Sequence, residues 1–464
     1  MSSSVIAVFD IGKTNKKVFL IDEHYKIVYE KSAQFAETTD EDGDACEDIA
    51  LLTTWMRQSL HEILQLPGFE VKAMNFSTYG ASFVHINGAG EVIAPLYNYL
   101  KPYPKALQQT FYNTYGGEVA VSAATASPVL GHLNSGMLLY RLKYEHPRLY
   151  EAIHYSLHLP QYISYLITGQ VYSDITSIGC HTQLWDFSRQ QYHTWVQQEG
   201  ISEKLAPIFP SNEVVQVSLN GRTYPTGIGL HDSSAALIPY LANFSEPFVL
   251  ISTGTWCITL NPFNQTPLTS AELQQDCLCY LEYHGKPVKA SRLFAGNEHE
   301  QQTKKLAEYF NVPLDFYKTV EFDPAIVSRL QKAQLINNTS IANTDTNLLF
   351  FKSLDPSQFA SYEDAYHQLL LNIIVAQKYS TGLVLDNTNV KRIFVDGGFS
   401  KNPVFMHLLA AAFPGMEVYA ASVAQATAIG AALAIHKHWN HLPLPGDLVA
   451  LKYYVSAAVT EEEY

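Results

Sequence analysis

Long apolar runs are missing from this sequence: no uninterrupted stretch approaches the ~20 residues of a membrane-spanning helix. The opening "MSSSVIAVF" has neither the basic segment nor the apolar length of a secretory signal. Positive charge is also scarce. Thirty Lys and Arg stand against 44 Asp and Glu, a net charge of −14. Nucleic acid and anionic membrane surfaces, which need basic patches, are therefore not expected as partners. Cysteine is sparse, with Cys46, Cys180, Cys257, Cys277 and Cys279 only. Cys277 and Cys279 lack the second pair or the histidines of a structural zinc site. Reduced thiols in a cytoplasmic protein are the expectation. The rest is ordinary for a soluble enzyme: 47% hydrophobic and 16% charged residues over 464 positions, room for roughly two to three domains.

A glycine-rich loop is absent where it would matter most. "FDIGKTNKK", residues 9–17, contains the Gly-Lys-Thr of a P-loop. That motif needs a further glycine five positions before Gly12 and a helix directly after it. Ala7 occupies the first position, and the alternating "KVFLID" that follows reads as a strand. The stretch is therefore predicted to be a β-hairpin turn carrying Asp10, Gly12, Thr14, Asn15 and Lys17, with a third strand in "KIVYEKSAQF".

Next comes an acidic loop, "DEDGDACED", residues 40–48. Asp40, Asp42 and Asp44 have the spacing of a calcium loop, but Ala45 replaces its glycine and Leu51 its final glutamate. A solvated loop feeding acidic residues into the next helix start is expected. That helix, "DIALLTTWMRQSLHEILQ", precedes strands "VKAMNFST" and "ASFVHIN" and then helical segments to about residue 168. Near 248 the opening pattern returns as "FVLISTGTWCITLN", again strand, small-residue turn, strand. The recurrence implies two similarly built α/β units that present a phosphate-holding turn each to a shared cleft. The polar run 337–347, with an Asn337 glycosylation triplet that has no secretory signal to give it meaning, reads as a loop. A long amphipathic helix is expected over roughly 359–385, and "RIFVDGGFSKN" as strand, glycine turn and helix start. "AQATAIGAALAIHKHW" is a small-residue helix suited to close packing. Its histidines, His436, His438 and His441, are expected as cations favourable to a helix C-terminus rather than metal ligands.

Four stretches carry candidate chemistry. Asp10 ends a strand where a carboxylate holds Mg²⁺ or simply forms a turn. The turn "STGT", residues 252–255, offers hydroxyls and successive N–H groups to phosphate oxygens. "DGG", residues 396–398, lets a flat ligand approach because glycine lacks a Cβ. In "GIGLHDSSAAL", Asp232 is placed to accept a hydroxyl proton during phosphoryl transfer, with His231 beside it, or else to cap the helix that follows.

The ordered series DIGKTNKK, STYGASF, LHDSSAA, ISTGTW and VDGGFSKN resembles the FGGY carbohydrate kinases over nearly the whole chain. "STYGASFVHI" and "HLPQYISYLITG" are similar to the rhamnulokinase branch in particular. The resemblance implies two actin-like (ribonuclease H-like) ATPase domains with a shared cleft, over residues 1–226 and 227–464. It implies ATP and Mg²⁺ as cofactors, and a small-molecule sugar as partner; a homodimer is left open. By the same resemblance, the ATP phosphates meet Gly12, Lys13, Thr14, Asn15, Lys17, Thr253, Gly254 and Thr255. Asp10 lies near the metal, while Gly397, Gly398, Asn402 and Gln301 lie by the nucleotide. Asp232 is the general base, and the sugar sits between Tyr79, Gly80 and Ser82 on one side and His231–Asp232 on the other.

Several positions depart from the family pattern. Lys13 replaces a small residue, Tyr79 a tryptophan, Ser82 an aspartate, Leu293 a sugar-binding asparagine, and Gln425 an acid. Most of these fall near the sugar pocket, where one polar contact shifts specificity by orders of magnitude. The expected activity is phosphorylation of a ketose, such as rhamnulose or fuculose. Two rivals stay open: a kinase of the same fold for another sugar or polyol, and a non-catalytic actin-like sugar sensor or assembly protein. No DNA-binding segment is expected ahead of the first strand.

Overall fold

The first strand, Ser3–Ile11, is apolar on both faces, with Val5 through Phe9 all at zero exposure. Such a strand belongs in the middle of a sheet. In the computed structural model, which describes residues 2–336 and 354–455, it pairs antiparallel with Lys16–Asp22 and parallel with Phe69–Thr78. The run 337–347 and its Asn337 lie outside the described residues. Strand Ile27–Ala33 follows along the hairpin edge, its side chains half-exposed and charged at Glu30 and Lys31, as an edge strand requires.

The same order recurs in the second sheet. Phe248–Thr253 pairs antiparallel with Cys257–Asn261, which pairs with Pro287–Leu293. On its other side Phe248–Thr253 runs parallel to Arg392–Gly397, and that strand parallel to Glu417–Ser422. Each unit thus places its first strand between an antiparallel hairpin partner and a parallel crossover strand, the duplicated actin-like α/β plan. Between the repeats, residues 83–214 form a largely helical insertion with its own core around Phe111, Tyr140 and Trp195. Helix formation there is interrupted by strand Tyr155–His158, which pairs with Phe83–Ile86.

Two helices tie the units together. Asp232–Asn243 and Ala426–Ala434 lie in a core that takes Ile6, Val8 and Phe19 from the first sheet and Phe248, Leu250 and Phe394 from the second. Small side chains permit the approach: a Cβ on Gly430 would fall 1.8 Å from the Ala235 carbonyl oxygen. The predicted small-residue packing is present.

Two expectations are corrected at this level. The acidic loop is not solvated throughout, because Asp40 and Glu47 are buried. The ammonium of Lys101, itself buried, sits among Asp40, Asp42 (2.8 Å) and Asp44 (3.1 Å), with Arg141 also on Asp42. Asp48, by contrast, does cap helix Ile49–Ile63, accepting from the Leu51 N–H at 2.9 Å. His436 is not a helix-end cation: burial lowers its pKa, and its Nδ1 lies 2.6 Å from the Tyr25 hydroxyl.

Candidate active site

The turn after the first strand is closed by its own backbone, the Gly12 N–H donating to the Asn15 carbonyl at 2.9 Å. That closure leaves Thr14 and Asn15 exposed at the tip. Lys13 reaches Glu37 at 2.9 Å and Lys17 reaches Glu30 at 2.9 Å, both on the surface, so neither partner is held by burial. Exposed pairs of this kind contribute little, and either ammonium is free to exchange its carboxylate for phosphate. Lys16, which the sequence left unremarked, points the other way and is buried on Glu47 at 2.7 Å.

The second turn is built around Thr253. Its hydroxyl donates to the Asp396 carbonyl (2.6 Å) and accepts from the Phe399 N–H (3.0 Å), so it holds the glycine turn in place. Gly397 has φ +92, and a Cβ there would lie 2.0 Å from the Thr253 carbonyl oxygen, which only glycine allows. Gly254 and Thr255 remain exposed beside it. Thr253, Gly254, Gly398 and Asn402 border a cavity of about 550 Å³ whose walls also include His299 and Tyr317, a size suited to a nucleotide-sized ligand. Asn402 caps helix Pro403–Ala412 through its Oδ1 and donates its amide to the Tyr366 hydroxyl at 2.6 Å. Gln301 does not line this cavity. It lies about 140° round the helix from Gly296 and is exposed, whereas His299 on the cavity side carries the contact.

Asp232 opens its helix beside His231. Burial pushes its pKa up to about 6, although the Ser233 N–H donates to it at 2.6 Å and 32% of its side chain is accessible. The dense walls around it desolvate the carboxylate while one side stays open to the cleft. His231 is held neutral, its pKa lowered to about 3 by burial. Its Nε2 lies 3.1 Å from Asp232 Oδ1 and 3.0 Å from Cys180 Sγ, and its ring stacks on Tyr280. Gly80 faces this pair directly, since a Cβ there would meet His231 Cδ2 at 2.8 Å. Tyr79 and Ser82 are buried next to it, Tyr79 donating to Glu47 at 2.6 Å. Leu293, at 5% exposure, is a core residue paired with Cys257.

Asp10 completes the constellation. Burial raises its pKa to about 6, the Thr427 hydroxyl opposes this from 2.6 Å, and the charge of Asp232 raises it further. Two desolvated carboxylates that feel one another are an arrangement a divalent cation relieves, so these residues fit Mg²⁺. Among the described residues the one compact group of acidic side chains is Asp40, Asp42 and Asp44, whose centre Lys101 already fills. Thr427, Lys16, Tyr280 and Cys180 shape the site without having been foreseen. Thr427 stood in a stretch read only for its small residues, and no local signal marks the other three.

A sequence profile for the N-terminal domain of the FGGY family of carbohydrate kinases matches residues 5–238. The chain belongs to this family. FGGY C-terminal domain profiles match residues 245–329 and 357–436. Among curated FGGY proteins, L-fuculokinase of Escherichia coli (strain K12) is 26% identical over 287 residues, 56% of this chain and 57% of that protein. Rhamnulokinase of Mannheimia succiniciproducens is 22% identical over 277 residues, 54% of this chain and 52% of that protein. The matches thus span little more than half of these relatives. The crystal structure of a carbohydrate kinase from Novosphingobium aromaticivorans superposes with a TM-score of 0.78 at 23% identity, covering 98% of this chain and 95% of that one. At that identity the likeness establishes the shared fold. No helix among the described residues is long and apolar enough to cross a membrane.

Proposed function

We propose that this FGGY protein is a cytoplasmic kinase that transfers the γ-phosphoryl group of ATP to a hydroxyl of a ketose, a deoxy ketose such as L-rhamnulose or L-fuculose. The observation that carries this reading is Asp232, a carboxylate raised to about 6 by burial, open to the cleft, and with a charge that reaches Asp10 at the phosphate turn. A base poised near the working pH is what deprotonation of an alcohol needs. Asp232 accepts the hydroxyl proton, and neutral His231 donates to it or to the sugar without adding charge. Tyr79, Gly80 and Ser82 face the sugar from the first unit.

The turn of Gly12, Lys13, Thr14, Asn15 and Lys17 binds phosphate from one side, and Gly254 and Thr255 bind it from the other. Gly397, Gly398 and Asn402 border the adenosine, with Gln301 at its outer margin. Mg²⁺ bound beside Asp10 would offset phosphate charge. The two working units are residues 1–226 and 227–464, closing over the cleft to exclude water. The names of the fuculokinase and rhamnulokinase relatives support the substrate class. Tyr79, Ser82 and Leu293 leave a xylulose-like ketose or another polyol as the second reading.

The test is ADP release with Mg·ATP over a panel of ketoses, pentuloses, aldoses and glycerol, wild type beside Asp232→Ala and Asp232→Asn. Turnover should rise with one sugar and fall by about two to four orders of magnitude in both variants. Ordinary turnover in the variants removes Asp232 from the mechanism. No stimulation by any sugar, with ATP still bound, shifts the reading to a non-catalytic sensor.

A further inference from the structure

The segment 37–47, which takes in most of the acidic loop 40–48 read from the sequence as solvated, touches both Lys13 of the phosphate turn and Tyr79 of the proposed sugar pocket. Its last carboxylate, Glu47, is 4% exposed and divides its two oxygens between those sites. One oxygen lies 2.7 Å from Lys16 Nζ, and Lys16 in turn donates to the Lys13 carbonyl at 2.9 Å, gripping the backbone of the phosphate turn from behind. The other accepts from the Tyr79 hydroxyl at 2.6 Å. A second path runs on the outer side. The Lys13 ammonium lies 5.9 Å from the Tyr79 ring and 6.0 Å from the Tyr99 ring, while Glu37 of the same segment holds it at 2.9 Å.

The energetics of such an arrangement favour coupling. Lys16 and Glu47, at 2% and 4% exposure, are each the other's main compensation for lost hydration, and a buried pair tolerates little separation. A shift of the Lys13 backbone therefore moves Lys16, then Glu47, then the Tyr79 hydroxyl. Phosphate arriving at Lys13 also draws its ammonium from Glu37 and changes the charge over the Tyr79 ring. The surrounding contacts keep the segment from absorbing the motion: Lys101 and Arg141 hold Asp42, and Tyr97 donates to Glu41 at 2.5 Å.

We propose that Glu47 is a positioning residue that couples nucleotide binding at the phosphate turn to sugar binding at Tyr79, through Lys16 on one side and the tyrosine hydroxyl on the other. The inference rests on the proposed kinase reading, since it assigns the two ligands to those two places. Coupling of this kind is reciprocal: sugar tightens nucleotide by the factor by which nucleotide tightens sugar.

The experiment measures the affinity of a non-hydrolysable Mg·ATP analogue calorimetrically, with and without saturating L-fuculose, L-rhamnulose or D-xylulose, whichever the wild type turns over. The wild type should bind the analogue at least about fivefold more tightly with sugar present, the lower end of ordinary coupling. In Glu47→Gln that factor should fall toward one, while affinity for the analogue alone changes little. Tyr79→Phe leaves the buried ion pair intact and deletes the hydroxyl link to Glu47 while keeping the ring beneath Lys13, so it should lower the coupling factor without loss of fold. Lys16→Met combined with Glu47→Gln removes both charges together and should do the same. Folded variants that keep the wild-type factor, or a wild type whose two ligands bind independently, overturn the coupling and leave the kinase assignment standing. A wild type that turns over no sugar overturns the kinase reading first, and the coupling falls with it.

Discussion

In the folded chain Asp232 keeps its proton up to about pH 6, whereas the free carboxyl releases it near 3.8. Between those values the folded state binds more protons than the unfolded chain, so stability falls as pH rises through the window and the deficit is complete above it. Asp10 follows the same sign, from 3.8 to about 6. Asp232→Asn should therefore melt at a higher temperature than the wild type at neutral pH, and the two curves should converge as pH falls toward 3.8. Turnover should show the opposite preference, with kcat/KM dropping on the acid side of about 6 as the base becomes protonated. A melting difference unaffected by pH would show that burial does not hold Asp232 in this state. The identity of this residue was legible because its neighbours, "GIGLHDSSAAL", place it at a helix start after a turn. Its raised pKa was not legible, since the surrounding walls come from residues distant in the chain. The same holds for Lys16, whose burial on Glu47 crosses from one strand to a remote loop and leaves no mark in local spacing.

Among the elements, both turn-bearing hairpins were readable as short apolar runs broken by a turn of small and polar residues, which is a local pattern. Gln301, placed by the nucleotide through the resemblance alone, lies off the cavity wall, where the helix instead brings His299. The pairing of helices Asp232–Asn243 and Ala426–Ala434 was foreseen only as close packing of small residues, not with its partner. Gly430→Ala tests that contact. A methyl 1.8 Å from the Ala235 carbonyl must push the helices apart, at a cost of about 1–3 kcal/mol. Because the same helix carries Thr427 to Asp10 at 2.6 Å, the variant should lose kcat as well as thermal stability. A lowered melting temperature with kcat intact would separate the packing from the site.

At the scale of the whole molecule, the proposed sugar-facing unit and the unit that carries the proposed base and nucleotide residues share a core that includes those two helices. Small-angle scattering should show a smaller radius of gyration with sugar and a non-hydrolysable Mg·ATP analogue bound together than with either absent. An unchanged radius with both bound would remove closure from the mechanism. Removal of divalent ions makes a different demand on the chain. A chelator should abolish turnover, because Asp10 and Asp232 then lack the proposed cation, and melting should fall only by the amount that cation binding contributes. The acidic cluster itself does not depend on that cation, because Lys101 sits among Asp40, Asp42 and Asp44. The fold carries its own counter-ion on a covalent tether, so this corner cannot be emptied by dialysis. The protein should therefore keep its fold in chelating buffer and regain turnover when magnesium is added.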